Sequence, residues 1–571
     1  MNNSPNRDYF TRTPPRYHHL RIRKRVLTEW LGWLLWILLL ALLFEYTLTS
    51  IQEGEHQAAV LAGGLSVGLL AAGLIVNIMR GIDAHSHPHY RLSARASDLD
   101  AEDPSRPENH LAKEKSLTRR QFIQTLGVAG VTTGAVGTVA LVASGHSLGA
   151  RMSGGVYRRP WWVRQVDQPT TGINWEVMQR VDAAHNILAG NPALGRFGSA
   201  EENTYLETVR LQNQFTRLTN NEPGFTLKDL ALANAFSAAG DVLPRSFLGA
   251  GLAPTPKDLG VSRWEGTHEE NSRLLKVAMQ QMGAASVGIV ELDEHTRKLI
   301  YGVDNDGKRI EFENIEHAYE DDEKRVIPFS ARWVVVYTVQ MSDIAIKRAP
   351  TKIAQMTTSE TYQRGLMIQN NVQEFLRGLG YQGLGEANLN GLGIAPAFAV
   401  LAGLGELSRL NRVITPEFGP MVRIFKLVTD LPLAPDKPID AGIARFCRKC
   451  KKCAEACPPS ALSFDTEPGW VPAGEWSNAG HQAWFENSIR CRRYWYEELG
   501  SNCGICFSVC PFSKRNRSFM HDLVRMQIAT FPELDELTRN MDDAFGYGVQ
   551  KDPGDWWDLD LPEFGIDTHK D

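Results

Sequence analysis

Along the 571 residues, the rhythm of apolar and polar positions changes near residue 150. Before it, two stretches are almost wholly apolar. Trp30–Thr49 reads "WLGWLLWILLLALLFEYTLT", and Ala58–Met79 carries no charge at all. Each runs about 20 residues, the length that crosses a bilayer, so both are predicted transmembrane helices. Glu45, the one charge in the first, sits near its end, within reach of the interface. Beyond residue 150 the pattern is that of a globular chain. Helical periodicity predicts helices over Leu227–Val242, Glu269–Met282 and Glu360–Leu379. The β-branched and aromatic run Arg332–Ile346, "RWVVVYTVQMSDIAI", predicts the strongest strand. Strands and helices alternate, which indicates an α/β or α+β domain. Gly378–Gly393, "GLGYQGLGEANLNGLG", is too glycine-rich for either element and reads as a loop whose backbone approaches something closely.

Charge orients the apolar segments. Arg21, Arg23, Lys24 and Arg25 precede the first, which keeps the N-terminus cytoplasmic. The loop "SIQEGEHQ" then faces outward and Arg80 returns inside. A polar, acidic linker follows. His85, His87 and His89 lie in it, and an ordinary membrane-proximal linker is favoured there over a metal site. Thr118-Arg119-Arg120-Gln121-Phe122-Ile123 resembles a twin-arginine export signal, with Gln124 where that pattern has lysine, and a small-residue apolar run comes after it. Such export moves folded proteins and would deliver everything after residue 150 to the outer face. Cleavage near Ala143 or Ala150 and an uncleaved third anchor are both open. With 61 basic and 66 acidic residues the net charge is −5, and nothing global argues for a nucleic-acid partner.

All eight cysteines lie after residue 440. The first set reads Cys447-x2-Cys450-x2-Cys453-x3-Cys457-Pro458. The second reads Cys491, then Cys503-x2-Cys506-x3-Cys510-Pro511. This is the spacing of bacterial two-cluster ferredoxins, in which three thiolates on a tight loop reach one cubane and the fourth ligates the other. One [4Fe-4S] cluster is therefore assigned to Cys447, Cys450, Cys453 and Cys510, and the second to Cys457, Cys491, Cys503 and Cys506. Zinc favours pairs separated by a longer gap, and near neighbours in sequence bridge poorly as disulfides. Arg448, Lys449, Lys451 and Lys452 flank the first motif, read as a solvated basic loop rather than a docking patch.

Between residues 170 and 440 there is no Gly-x-Gly-x-x-Gly unit after a strand and no P-loop. What stands out is Ala402–Pro458, with A-G-L-G-E, I-T-P-E-F-G-P-x-V-R, T-D-L-P-L and D-K-P-I-D running into the first cysteine motif. This block resembles the corrinoid-dependent reductive dehalogenases, and the likeness extends more loosely over about 170–550. The resemblance implies an α+β architecture: a nitroreductase-like corrinoid-binding domain, then a ferredoxin-like domain with two [4Fe-4S] clusters, here preceded by transmembrane helices. The expected layout is a cytoplasmic tail over 1–29, two spans over 30–80, a linker over 81–115 and the signal with its apolar segment over 116–150. The catalytic domain follows over 151–440, the cluster domain over 441–520 and a tail over 521–571.

The resemblance also implies a base-off corrinoid without a lower ligand from the protein. Asp293-Glu294-His295 is followed by Thr296-Arg297-Lys298, so the D-x-H-x-x-G signature of a lower histidine is absent, in agreement. Carried over residue by residue, the family's tyrosine is Tyr362, the proton donor, ahead of Leu379-Gly380-Tyr381. Its asparagine is Asn388, with Asn390 as the alternative register, and its arginine is Arg423, the charge that stabilises the phenolate. The implied substrate is an organohalide. The implied partners are membrane lipid, the twin-arginine translocase and a membrane electron donor, either the quinone pool or a reductase. The two spans ahead of the signal depart from the family pattern and look like a fused anchor. That places the chain at the cytoplasmic membrane with its catalytic part on the periplasmic or outer face. The rival readings are an epoxyqueuosine-reductase-like enzyme and a membrane-tethered ferredoxin that only carries electrons.

Overall fold

The structure is a computed structural model describing residues 159–185, 199–241, 243–514 and 519–566. Both predicted spans, the twin-arginine motif and the linker histidines lie outside those residues. Among the described residues no helix is long and apolar enough to cross a membrane.

Helices α1 (Ala200–Thr219), α2 (Leu227–Asp241) and α3 (His268–Gln281) lead into a mixed α+β body. Its central sheet contains β1 (Ser286–Glu291), β5 (Trp333–Gln340), β6 (Gly383–Leu384) and β7 (Val422–Thr429) in the order β1-β5-β7-β6, antiparallel throughout. A smaller sheet holds β2 (Arg309–Glu313), β3 (Tyr319–Glu320) and β4 (Lys324–Pro328), with β2 and β4 parallel. Strand β5 is buried on both faces, which explains its unbroken "WVVVYTV". Val334 and Val336 enter one core, while Val335, Tyr337 and Val339 enter another on the opposite face. Phe425 and Leu427 of β7 join the second core, which sits beneath α3 and α5 (Lys352–Leu379).

Three expectations change. Gly378–Gly393, expected to be loop throughout, starts in the last turn of α5 and includes strand β6, because Gly383 and Leu384 pair with Thr429 and Val428 of β7. The strand ends at Gln340, because the Ser342 side chain caps a short helix, α4 (Asp343–Ile346). An apolar run alone does not distinguish that turn of helix from more strand. Helix α5 begins eight residues before the predicted start, at Lys352, with the Thr351 hydroxyl accepting from Ala354 N at 3.3 Å. It ends on Gly380, whose φ of +90° suits a residue without Cβ. Helix α5 also crosses β7 very closely. A Cβ on Gly365 would stand 2.1 Å from the Phe425 ring, so only glycine permits the approach. That closeness sets one face of α5 against the odd-numbered side chains of β7.

The cysteine-bearing segment does not stand apart from the sheet region. Trp162, Leu410, Ile414 and Ile439 share one core with Phe446, Cys450 and Cys510. The tail packs as well: Trp556 is buried against Ala233, Ile344 and Ile353, and the Trp557 indole donates to Asp229 Oδ1 at 2.7 Å.

Candidate active site

Helix α6 (Ile443–Cys450) carries the first two cysteines, and its Ncap, Gly442, offers no side chain. The cap comes from elsewhere. The Glu406 carboxylate, 1% exposed, accepts from Ala441 N at 2.7 Å, Ile443 N at 3.1 Å and Ala444 N at 3.2 Å. A carboxylate at a helix N-terminus satisfies orphan donors and matches the dipole. This gives the glutamate of A-G-L-G-E a physical role, the anchoring of the helix that presents Cys447 and Cys450.

Cys447, Cys450, Cys453 and Cys510 wall one small cavity, and Cys457, Cys491, Cys503 and Cys506 share the wall of a much larger one. The last cysteine of each motif thus stands with the other motif's set. All eight are free thiols, and among the described residues no three metal-binding side chains close on a single ion. Each quartet surrounds a space rather than a point. Burial pushes the Cys447 thiol up to about 11 and Cys450 and Cys503 up to about 12. In such surroundings thiolates need a cationic partner, and a cubane's iron supplies it.

Arginines that the spacing did not reveal hold this scaffold. Arg409, 1% exposed, donates to Cys447 O at 3.0 and 2.8 Å and to Ser463 O and Asp465 O at 2.7 Å, with its guanidinium 4.8 Å above the Trp484 ring. Arg412 donates to Glu486 Oε1 at 2.7 Å beside the second quartet. Lys452 is not part of a solvated loop. It is buried, and its ammonium meets Asp542 at 2.6 Å and Asp543 at 2.7 Å.

The larger cavity, about 620 Å³, is also lined by Tyr362, Asn390 and Arg423. The Tyr362 hydroxyl donates to Asn390 Oδ1 at 3.0 Å. Its ring meets Phe425 edge-on at 5.7 Å, and the Arg423 guanidinium carbon lies 5.5 Å from the ring centre. Arg423 Nη2 donates to Thr358 Oγ1 at 2.9 Å, which fixes the guanidinium on the α5 side of β7. Burial lowers the arginine's pKa, and the tyrosine's potential charge works the other way. Asn388 is the correction. It does not line the cavity; its amide lies against Asp304 and Asp306 without a well-formed hydrogen bond. The reason is the backbone. Asn390 has φ +55° and Leu392 φ +65°, and these left-handed residues turn the 390 side chain to the cavity.

Whether a corrinoid fits is a question of shape and of polar partners. Apolar walls from Ile173, Met178, Leu299 and Val400 suit a macrocycle. Asn478 Oδ1 and Trp495 Nε1, on residues of the same wall, are buried with no hydrogen-bond partner among the described residues. Buried groups of this kind call for partners, and the amide rim of a corrinoid offers them. His481 is the histidine on that wall, and burial lowers its pKa to about 4, so it is neutral. His295 is elsewhere, stacked on Trp175 at 5.5 Å.

Comparison with known proteins agrees with this geometry. Residues 158–433 match the family described as reductive dehalogenase subunit, and residues 446–513 match the 4Fe-4S double cluster binding domain. The chain is 26% identical over 553 residues to trichloroethene reductive dehalogenase of Dehalococcoides mccartyi, covering 78% of this chain and 97% of that protein. It is 39% identical over 263 residues to tetrachloroethene reductive dehalogenase of Sulfurospirillum multivorans, covering 46% of this chain and 51% of that one. A solved reductive dehalogenase, described with a mechanism for B12-dependent dehalogenation, shares the fold with a TM-score of 0.51 at 22% identity, over 71% of this chain and 52% of that one. The chain thus spans about half the length of the latter two.

Proposed function

From the match of residues 158–433 to the reductive dehalogenase subunit family and of 446–513 to the double-cluster domain, we propose that this chain is a reductive dehalogenase that replaces a carbon-bound halogen by hydrogen: R–X, two electrons and two protons give R–H and HX. One observation carries the reading. A single cavity is lined both by a cysteine quartet and by Tyr362, Asn390 and Arg423. Electrons and a proton can therefore reach one space from two walls.

The two quartets would hold the two [4Fe-4S] clusters, and the cavity would hold the corrinoid, within a nitroreductase-like frame around the central sheet. The corrinoid, when bound, supplies a low-potential metal centre to the carbon–halogen group. The chain's own part is acid–base chemistry and placement. Tyr362 has the one phenolic proton in the Asn390–Arg423 group and gives it to the carbon that loses halogen. Asn390 Oδ1 holds that proton in a defined direction until then. Arg423 sets a positive charge over the ring that carries negative charge afterwards. Largely apolar walls place these charges at reduced dielectric, where electrostatics act more strongly than in water.

The deciding experiment is anaerobic reconstitution followed by halide release with a reduced viologen, across aliphatic and aromatic organohalides. The expected material holds about eight irons and one corrinoid, and releases one halide for each dehalogenated product. Eight irons without any capacity for corrinoid, and no halide, would leave only an electron carrier.

The reading extends to location. Two apolar segments of bilayer length ahead of a twin-arginine motif support a fused anchor, with the catalytic part exported and reduced by a membrane donor. On cell fractionation the full chain is expected in the membrane pellet after alkaline carbonate washing. Replacing Arg119 and Arg120 by lysine should leave its catalytic part shielded from protease in spheroplasts. Release by carbonate, or protease exposure despite both replacements, would count against the anchor and the export route respectively.

A further inference from the structure

The loop that delivers Asn390 is poorly suited to holding a side chain still. Residues 385–393 include three glycines and form neither helix nor regular strand. Two of the remaining residues, Asn390 and Leu392, sit at positive φ. Chain of this composition has much backbone freedom to lose. Yet Asn390 Oδ1 must stay 3.0 Å from the Tyr362 hydroxyl.

The start of the loop is held at Glu386, whose N–H donates to Gln369 Oε1 of α5 at 3.0 Å and whose carboxylate meets Lys426 of β7 at 2.6 Å. The stretch around Asn390 is held by the turn between β1 and β2. Asn305 Nδ2 donates to Leu389 O at 3.0 Å, the carbonyl immediately before Asn390. Tyr301 N donates to Leu392 O at 3.1 Å, two residues beyond it. Under Gly391 lies the Asp304 carboxylate, so close that a Cβ there would stand 3.1 and 3.2 Å from its two oxygens. The turn is itself clamped. Arg325 of β4, 4% exposed, meets Asp304 Oδ2 at 3.2 Å and Asp306 Oδ1 at 2.9 Å through Nη1, and Glu320 Oε2 at 3.0 Å through Nε. Asp304 also closes its own turn: its Oδ1 accepts from Asn305 N at 2.9 Å and its backbone carbonyl accepts from Gly307 N at 3.0 Å.

Three carboxylates gathered on one buried guanidinium are an expensive way to staple a small sheet. The arrangement makes sense as a rigid platform for what rests on it. We propose that the Arg325–Asp304 knot, acting through the Asn305 amide on Leu389, is the positioning device for Asn390 and so for the Tyr362 hydroxyl. Asn305 does not line the cavity; it is a positioning residue. The inference rests on the reading of Tyr362 as proton donor.

The test is a double-mutant cycle in the full chain carrying both clusters and corrinoid. Asn305→Ala is expected to lower kcat roughly 10- to 100-fold, the scale of a misplaced catalytic group. KM, iron, cobalt and the unfolding midpoint should stay as in the wild type. Asn305→Leu, of similar size without the N–H and without a new charge beside Asp304 and Asp306, should behave as the alanine does, and it replaces the alanine if that variant loads cofactor poorly. In an Asn390→Ala background the Asn305 change should cost nothing further. Equal losses in both backgrounds overturn the positioning role, as does an unchanged kcat in Asn305→Ala. A Tyr362→Phe arm separates the two readings. If Tyr362→Phe is inactive while Asn305 and Asn390 act additively, only the positioning device falls. If Tyr362→Phe turns over normally, the donor falls and the positioning proposal falls with it.

Discussion

Tyr362→Phe is expected to lower turnover by about 10²- to 10⁴-fold, the range of a general acid's contribution, with cofactor content unchanged. The geometry explains why the change is clean. Two contacts that place the ring act on its carbon atoms: the edge of Phe425 at 5.7 Å and the Arg423 guanidinium at 5.5 Å. Phe425 is itself held by stacking on Tyr337 at 5.4 Å. A phenylalanine keeps those contacts. Among the described residues the hydroxyl's one hydrogen-bond partner is Asn390 Oδ1, and losing it leaves an acceptor unpaired at a cost of about 1–3 kcal/mol. Because the group faces a cavity, ligand or water can satisfy that acceptor, and the unfolding midpoint should move little. Electron delivery does not depend on the hydroxyl, so the clusters should reduce normally. The measurement is single-turnover halide release beside iron and cobalt analysis. Normal turnover in a fully loaded Tyr362→Phe protein would remove the residue from the mechanism.

The parts of this site that were legible in the sequence are those whose chemistry is local. Cluster ligands must come from tight loops at fixed spacing, so Cys447, Cys450 and Cys453 announce themselves. The central strand shows as an apolar run because both its faces are buried. Tyr362 and Arg423 came from a resemblance, and nothing in their own neighbourhoods marks them. They meet because α5 crosses β7 at Gly365, a contact between positions 60 residues apart that no local pattern contains. Asn388 and Asn390 lie one residue pair apart in a stretch where positive φ decides which side chain faces the cavity, and composition does not encode that choice. Arg409 and Glu406 were hidden for a related reason. Each satisfies backbone groups far along the chain, at Cys447 and at the start of α6. Their signal was present only as unexplained letters in the A-G-L-G-E-L-S-R stretch.

The crossing of the two cysteine motifs makes the second large prediction, and it can be decided by counting iron. Cys510 stands with Cys447, and Cys503 stands with Cys457. Cys510→Ala should then bring the iron content from about eight to about four, because three buried thiols no longer close a cubane. Adding Cys447→Ala should remove no more, since both residues serve one cluster. Adding Cys503→Ala instead should strip nearly all the iron, although Cys503 and Cys510 are neighbours in the same motif. Were each motif to hold its own cluster, the two double variants would exchange results. The functional cost follows from position. The quartet of Cys457, Cys491, Cys503 and Cys506 shares the cavity of Tyr362 and Arg423, and the quartet of Cys510 does not. Electrons from a donor would therefore arrive at the Cys510 cluster and leave from the other. Cys510→Ala should abolish turnover driven by a protein or membrane donor. A small reduced viologen that reaches the cavity-side cluster directly should still support part of it. Loss of both activities together, with four irons still present, would place the arrival point at the cavity side instead.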